Sequence, residues 1–472
     1  MPDFDQDLAR VLARVMPEFI SLERCARLSG GASQETYAID ITTRDGARRL
    51  ALRRAAGGAI DARDYGGPGL HIEARLMTLA GAGGVPAPAI LHVLETGDGL
   101  GDGFLMEWLS GETLGARIVK GEEFAAIRPR LAYQCGEILA RIHAIDLDTD
   151  DLRAHLEPLT PAAFVHRQWG YYKKLVTPQP MIDYTARWLL DNLPPETPLT
   201  LVHNDFRNGN LMISPSDGVI GVLDWEVAHI GDPMRDLGWI CTNSWRFGRS
   251  ELPVGGFGRR EDLFAGYEAA SGRAIDAEHV RFWEVFGSFW WAVGSLIMAD
   301  HYRHGPDSSV ERPAIGRRSS ECQIDCVNLL MPAPAALPTP LPLAGDELPR
   351  NDELLISVRD FLREDVMAAT NGRTQFMARV AANSLDILLR DMQLGPPLRA
   401  AEQARLATLM GHEDTREALR WQLVEKLRDS SMPLTQAGLV EHLRATVSGE
   451  LAIDQPSYSG FKTAMGQSES ST

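Results

Sequence analysis

A run of prolines between Met331 and Pro349 limits what this chain of 472 residues can fold into. Six residues of the segment are proline, so it lacks many of the backbone N–H donors that helices and sheet ladders need. The pattern predicts an extended linker over residues 331–349 and a domain boundary there. A chain of this length is also expected to form more than one domain.

The segment after the linker predicts an all-helical domain over residues 350–454. Apolar side chains from Leu354 to Val366, and again from Phe376 to Leu388, recur at the spacing of an amphipathic helix. Further helical patterns follow, and Gly-Pro-Pro at residues 395–397 is expected to interrupt them. The last residues, 455–472, are small and polar, which predicts a disordered tail.

The segment before the linker, residues 1–330, mixes strand patterns with helical ones and predicts an α+β domain. Over about residues 1–108 several alternating strands enclose one helix, whereas helical patterns dominate over about residues 109–330. Two short apolar strands, near residues 211–213 and 219–223, interrupt those helices. We therefore expect a small β-rich part followed by a larger helical part.

The charge balance argues against nucleic-acid and membrane partners. The chain has 64 acidic and 47 basic residues, a formal net charge of −17, which opposes attraction to phosphate backbones and anionic lipids. The longest uncharged run, Val285–Ala299, is shorter than the roughly 20 residues of a membrane span and predicts a buried helix. We expect no nucleic-acid and no membrane partner.

The cysteines and the N-terminus favour a cytoplasmic protein. Five cysteines without a CxxC pair do not suggest a disulfide framework or a zinc site. The acidic N-terminus has neither the basic nor the apolar region of a secretory signal. The sequence predicts a cytoplasmic location and leaves the oligomeric state unknown.

Two neighbouring segments carry candidate catalytic residues, VHNDFRNGNLMIS at 202–214 and VIGVLDWEVAHIGDP at 219–233. Phosphoryl transfer from a nucleotide needs a carboxylate to orient or deprotonate the attacking hydroxyl, and oxygen ligands for Mg2+. Asp205, Asn210 and Asp224 can supply these groups. The two apolar strands predict a hairpin that brings Asp224 back beside the loop; a polar hairpin whose Asp and Asn only cap turns is the alternative.

The stretches HNDFRNGN and LDWE resemble the catalytic and metal loops of the aminoglycoside phosphotransferase and choline kinase superfamily, relatives of protein kinases. The resemblance implies a bilobal protein-kinase-like fold, with a small β-rich N-lobe and a helical C-lobe, and ATP and Mg2+ as cofactors. It implies that Asp205 is the catalytic base, that Asn210 and Asp224 bind magnesium, and that His203 supports the loop. The family usually has glycine where this chain has Asn204.

The first hundred residues supply a candidate nucleotide site. Gly30, Gly31 and Ser33 lie in a predicted turn between strands, where backbone N–H groups can bind phosphates. The next strand ends in Arg53 and the following helix carries Glu73, which is the kinase order of glycine loop, strand cation and helix acid. Better-known family members have lysine at the strand position, and arginine would hold phosphate through its planar fork. An ordinary hairpin and a surface arginine are the alternatives.

Two further segments extend the resemblance. Phe104–Trp108, with Glu107, resembles the segment that joins the two kinase lobes and can bind an adenine edge through its backbone. Asp236 is expected to be a structural hydrogen-bond acceptor. The sequence Asp224-Trp225-Glu226 runs almost directly into GDPMRDLGW, so no protein-kinase activation segment is evident. Phosphorylation of a small-molecule hydroxyl is therefore favoured over protein phosphorylation.

The substrate class rests on resemblance. The N-terminal pattern looks closest to the branch associated with acyl-CoA dehydrogenases, whose members phosphorylate hydroxyacyl-CoA, and the C-terminal helical region resembles a small module of unassigned function found alongside such kinases. Basic residues Arg167, Lys173 and Lys174 on a predicted helix could meet an anionic CoA thioester. An aminoglycoside or choline-type kinase is the alternative, since an acidic chain suits a cationic acceptor. A pseudokinase-like scaffold is the alternative from another class.

Overall fold

The computed structural model describes residues 2–28, 34–55, 57, 67–305 and 307–467. Its strands are β1 Phe19–Arg27, β2 Gln34–Thr43, β3 Gly46–Ala55, β4 Ile90–Val93, β5 Gly103–Glu107, β6 Thr200–Val202, β7 Leu211–Ser214, β8 Gly218–Val222 and β9 His229–Gly231. Its helices are α1 Pro2–Val15, α2 Leu70–Ala82, α3 Gly115–Lys120, α4 Arg128–His143, α5 Leu152–His155, α6 Pro161–Lys174, α7 Pro180–Asp191, α8 Met234–Cys241, α9 Arg260–Ser271, α10 Ala277–His304, α11 Glu311–Arg317, α12 Ser319–Leu330, α13 Asn351–Phe361, α14 Met367–Ala369, α15 Gly372–Met410, α16 Arg416–Arg428, α17 Leu439–Asp454 and α18 Ser459–Ala464.

The N-terminal part is an antiparallel sheet with strand order β1-β2-β3-β5-β4. Side chains alternate between its faces, as the period of a strand requires. In β3, Leu50 and Leu52 pack toward α1, whereas Ala51 and Ala55 join the larger core that includes α2, α4 and α9. Arg53 is two residues from both Ala51 and Ala55, so its side chain lies on the same face of the sheet, the face that packs against α2.

Two short strand pairs follow the sheet and position the loops between them. The pair β6–β9 is antiparallel, with Val202 opposite His229, and β7–β8 is a hairpin with Leu211 opposite Val222. The segment from 203 to 210 connects the first pair to the second. Its two ends are therefore held by separate ladders.

The chain divides into two compact units, and each is assembled from separate stretches. The first unit comprises residues 1–160 and 195–283, and the second comprises residues 161–194 and 284–472. This division differs from the linear one expected from the sequence, because the Pro-rich segment 331–349 lies inside the second unit. Helices that are distant in sequence pack against each other within this unit. A local sequence pattern does not predict such long-range packing.

The predicted interruption at Gly395-Pro396-Pro397 was wrong, because α15 continues through both prolines. Pro397 has no N–H to donate to the carbonyl of Gln393, the acceptor one helical turn earlier. The N–H of Leu341, from the Pro-rich segment, donates to that carbonyl at 2.8 Å. A tertiary hydrogen bond thus replaces the one that proline removes.

The expectation of a disordered tail was wrong for the part of it that the structure describes, residues 455–467. Helix α18 lies there, and the Tyr458 hydroxyl donates to Asp325 at 2.7 Å. A Cβ on Gly460 would approach the Asp325 carboxylate to 2.7 Å, so a small residue is needed for this contact. The small residues that suggested disorder here permit close packing.

One helix in the described part of the chain, α10, is long and apolar enough to cross a membrane when judged by length and composition alone. Of its most apolar 18-residue window, 61% is buried in the protein. That burial is typical of a core helix, which is what the uncharged run Val285–Ala299 predicted. The absence of a membrane partner stays a prediction.

Candidate active site

The loop that follows β6 is held by the carboxylate of Asp236, in the first turn of α8. The backbone N–H groups of His203 and Asn204 donate to its two oxygens at 2.8 and 2.7 Å. The ring of His143 contacts the same carboxylate at 3.1 Å and the Tyr267 hydroxyl at 3.0 Å. Asp236 is fully buried, and its predicted role as a structural acceptor is confirmed by these bonds.

The charge of Asp236 is maintained by its donors. Burial by itself raises the pKa of a carboxyl group, because it penalises the ionised form. Hydrogen bonds from His143 and from the backbone of His203 outweigh that effect and hold the pKa of Asp236 below its ordinary value. The loop is therefore anchored to a buried anion.

Asn204 occupies the position where the family usually has glycine, and the backbone conformation explains the departure. Its φ is +67°, in the left-handed region that favours glycine and that asparagine tolerates better than most residues. Its side-chain oxygen accepts from Arg235 at 2.9 Å, and its amide donates to the Val227 carbonyl at 3.3 Å. Asparagine thus adopts the turn and adds two tertiary bonds.

His203 connects the two loops of the site. Its Nδ1 accepts from the N–H of Asp205 at 3.2 Å, so the ring proton is on Nε2, which donates to the Leu223 carbonyl at 3.0 Å. Burial lowers the pKa of His203, which keeps the imidazole neutral. The ring packs on Trp225 with centroids 4.7 Å apart. This buried side chain acts through its neighbours and is a positioning residue.

The predicted catalytic base, Asp205, is surrounded by donors. Trp239 Nε1 donates to its Oδ1 at 2.8 Å, and Asn210 Nδ2 donates to its Oδ2 at 2.6 Å. The Arg207 guanidinium donates to both oxygens at 3.1 Å and lies over the Trp245 ring, 4.4 Å from its centroid. These bonds fix the plane of the carboxylate.

Arg207 and Trp239 were missed by reasoning from the sequence. Arg207 is two residues from Asp205, and its position inside the motif was an available signal. Trp239 is 34 residues away, and only the packing of α8 beneath the loop brings its indole to the carboxylate. No local pattern identifies such a donor.

The predicted magnesium ligands lie at neighbouring ends of the β7–β8 hairpin. The Leu223 N–H donates to the Asn210 carbonyl at 2.8 Å, which brings Asp224 beside the loop as expected. The amide nitrogen of Asn210 is used by Asp205, so its Oδ1 is the atom that can bind a cation. Asp224 has a φ of +68° and a partly exposed carboxylate.

This donor set fits magnesium. One carboxylate and one amide oxygen are hard ligands, and Mg2+ commonly takes its other ligands from water and nucleotide phosphates. Within the described residues, no group of three or more His, Cys, Asp or Glu side chains could hold a metal. A fully protein-built metal centre is therefore not found in that part of the chain.

Arg53 lies among three carboxylates. Its Nε is 3.1 Å from Glu73, and its Nη2 contacts Asp224 and lies 3.5 Å from Glu226. Glu73 is 1% exposed and also accepts from the N–H of Trp225 at 3.3 Å. Burial raises the pKa of Glu73, and Arg53 offsets part of that rise. The predicted cation and helix acid do meet.

Other predicted site residues lie apart from this cluster or outside the description. Gly30, Gly31 and Ser33 lie outside the described residues. Glu107 ends β5, and its exposed carboxylate accepts from the Ala89 N–H at 3.4 Å, without contact to the cluster.

The basic helix α6 belongs to the second compact unit. Its side chains Phe164, Gln168, Trp169 and Tyr172 are buried, as the helical pattern predicted. The Lys173 ammonium lies 3.4 Å from the centre of the Trp169 ring. That cation therefore already has an aromatic partner.

Family comparisons match two parts of the chain. The model described as "Phosphotransferase enzyme family" (APH) matches residues 24–273, which is 250 of the 472 residues. A second model, described as "Domain of unknown function (DUF6285)", matches residues 368–458. The first match includes the complete Asp205 cluster and Arg53, and the second lies within the C-terminal helices.

The chain is also similar to individual proteins. It is 30% identical over 218 residues to acyl-CoA dehydrogenase family member 10 of Mus musculus, covering 45% of this chain and 19% of that protein. It is 27% identical over 259 residues to family member 11 of Gallus gallus, covering 50% and 30%. The chain thus spans less than a third of these two relatives.

Solved structures of similar fold include a Ralstonia eutropha protein assigned as an aminoglycoside phosphotransferase. The TM-score is 0.54 at 22% identity, with 67% of this chain and 95% of that chain covered. Identity at this level shows the fold alone. The predicted kinase-like α+β fold, with a β-rich N-lobe, a helical C-lobe and further helices after it, is confirmed.

Proposed function

The chain belongs to the phosphotransferase enzyme family, and we propose that it transfers the terminal phosphoryl group of ATP, with Mg2+, to a hydroxyl of a small molecule. The observation that carries the proposal is the arrangement around Asp205. Its carboxylate is oriented by Trp239, Arg207 and Asn210 and remains partly exposed. An oriented, accessible carboxylate is what an attacking hydroxyl requires.

In the proposed reaction, Asp205 accepts the proton of the acceptor hydroxyl. The hydroxyl oxygen forms a bond to the γ-phosphorus as the bond from that phosphorus to the bridging oxygen breaks, and ADP leaves. Trp239, Arg207 and Asn210 keep the carboxylate in one plane with two donors on each oxygen, so the acceptor hydroxyl would replace one of these bonds. Positioning supplies most of the rate enhancement in such reactions.

Asn210 Oδ1 and the Asp224 carboxylate are the proposed magnesium ligands. When bound, Mg2+ would neutralise charge on the phosphates. Arg53 contacts Asp224 and is also held by Glu73. We propose that Arg53 keeps its bond to Glu73 and turns its remaining donors to the nucleotide phosphates, which suit a guanidinium fork.

For the acceptor we favour a hydroxyacyl-CoA. Two curated relatives carry the name acyl-CoA dehydrogenase family member, which connects this sequence type with acyl-CoA chemistry. An aminoglycoside acceptor is supported by similarity of fold only. A choline-type acceptor rests only on the resemblance of the sequence motifs. A pseudokinase-like scaffold is disfavoured, because Asp205, Asn210 and Asp224 are all present and adjacent.

The test is turnover by the full chain with Mg2+ and ATP against hydroxyacyl-CoAs, choline and aminoglycosides. We expect ADP release that depends on a hydroxyacyl-CoA and falls about a hundredfold or more in Asp205→Asn. Asp217→Asn, an exposed residue in the turn of the same hairpin, is the matched control and should keep wild-type turnover. Turnover no higher than that of Asp205→Asn with every acceptor would refute the enzyme proposal and favour a scaffold.

A further inference from the structure

A polar cavity of about 230 Å³ lies inside the second compact unit, among helices α15, α16 and α17. It is far larger than the space one water molecule needs. The walls are mostly charged, whereas helix interfaces normally bury apolar side chains. The charged lining residues are Arg317, Asp391, Arg399, Glu402, Arg405, Arg416 and Glu450.

Most of these charges are paired with each other or with close neighbours. Each of the three carboxylates of the lining accepts from an arginine: Asp391 from Arg399 at 2.8 Å, Glu402 from Arg416 at 3.1 Å, and Glu450 from Arg420 at 2.5 Å. Arg317 pairs with Asp454 at 3.0 Å, behind the lining. The ion pairs make a rigid frame with little net charge of its own.

Arg405 is the exception. In the described part of the chain no carboxylate lies within ion-pair distance of it, and its Nη2 donates only to the Thr446 hydroxyl at 3.2 Å. Its Nε is buried without a hydrogen-bond partner. Burial of this N–H is unfavourable and also closes it to solvent, so an anion in the cavity would meet the terminal nitrogens of the guanidinium.

A second unpaired group lies next to Arg405. His442 is one turn before Thr446 on α17 and is 1% exposed, and neither of its ring nitrogens has a hydrogen-bond partner. Its electrostatic neighbours are Glu402, Arg405 and Arg420, and burial lowers its pKa to about 4, so the ring is neutral at pH 7. His442 does not line the cavity, so the contact to a ligand is assigned to Arg405 and not to this imidazole.

We propose that this cavity binds a small oxyanion, as carried by a phosphoryl or a carboxyl group, with Arg405 as the principal donor. A planar guanidinium matches the two oxygens of such a group. Because the charges of the frame nearly cancel, the unpaired Arg405 gives the cavity a positive charge. Thr446 holds the guanidinium toward the cavity. This site lies in the region matched by the family of unknown function and is independent of the phosphotransfer proposal.

The site can be tested on the wild-type full chain by arginine-selective modification with phenylglyoxal and peptide mass spectrometry. Inorganic phosphate should slow the modification of Arg405 saturably, by about fivefold or more, as expected for a charge-assisted bond. Arg379, exposed on the same helix, is the internal control and should react at an unchanged rate. Acetate in place of phosphate distinguishes the two sources of oxyanion.

Calorimetry adds a second measurement. Phosphate or acetate should bind with an affinity that falls about tenfold or more in Arg405→Gln and by less in Arg405→Lys. The binding attributed to this cavity should persist in Arg53→Lys, which alters the proposed nucleotide site. Failure of both anions to protect Arg405 in the wild-type chain would overturn the proposal, and so would unchanged affinity in folded Arg405→Gln.

Discussion

The guanidinium of Arg207 donates to both carboxylate oxygens of Asp205, each at 3.1 Å. The two residues are separated by Phe206 alone, and Arg207 is kept in place by the ring of Trp245. The pair holds the predicted base in one plane, yet it adds a cation beside the position where a phosphoryl group would transfer. This relationship links loop geometry to catalysis and can be tested directly.

We expect Arg207→Ala to lower kcat about 10- to 100-fold, because it removes two charge-assisted bonds to the base. Arg207→Lys should recover part of the loss, since it keeps the charge without the fork. Steady-state kinetics with the best acceptor would measure both. An unchanged kcat in Arg207→Ala would show that the pair has no part in turnover.

Arg53 is expected to serve both stability and activity. Arg53→Met leaves Glu73 buried without its cation, which should cost about 3–5 kcal/mol of unfolding free energy and abolish most turnover. Arg53→Lys should keep the ion pair and much of the activity.

The double variant Arg53→Met with Glu73→Leu separates the two effects. It removes both buried charges, so thermal unfolding should return toward the wild-type temperature while turnover stays low. Recovery of turnover in the double variant would contradict a role of Arg53 at the phosphates.

Asp236 should make stability depend on acid pH. Its pKa is lowered in the folded protein, so its contribution is complete above the unfolded pKa of about 4 and is lost as pH falls through the lower folded value. Asp236→Asn should therefore destabilise the protein by about 3 kcal/mol at pH 7. Its melting temperature should approach that of the wild type as pH falls below about 4.

The exposed Asp45→Asn variant is the control for this pH series, and it should change stability by no more than about 0.5 kcal/mol. A gap between wild type and Asp236→Asn that widens on acidification would contradict the assignment of Asp236 as a buried anion.

The second compact unit should depend on one ion pair between distant parts of the chain. Arg428 donates to fully buried Asp183 at 2.8 Å, beside bonds from Trp169 and Tyr172. Arg428→Met should cost about 3 kcal/mol because it leaves a buried charge without its cation. Differential scanning calorimetry would measure the loss, with the exposed Lys426→Met on the same helix as control.

Truncation near Ala335 should lower stability for the same reason. The truncation removes α16, which carries Arg428. Asp183, in the stretch 161–194 of the same unit, then loses its cation. A truncated chain that melts like the full chain would show that the pairing of Asp183 is dispensable.

The chemistry of the candidate site could be predicted where the relevant residues share a local segment. Asp205 and Asn210 lie on one short loop, and a two-stranded hairpin necessarily returns the chain to Asp224. Alternation along β3 likewise places Arg53 on a defined face of the sheet. These relationships follow from the fixed periods of strands and the short reach of turns.

The rest was decided by tertiary structure. The Asp236 carboxylate under the loop and the Trp239 donor depend on how α8 packs, and the path of α15 through two prolines depends on a donor from Leu341. Arg428 reaches Asp183 across 245 residues of chain. Periodicity describes which face of a segment is apolar, but hydrogen bonds between distant segments arise only when the core brings them together, so they leave no local signal in the sequence.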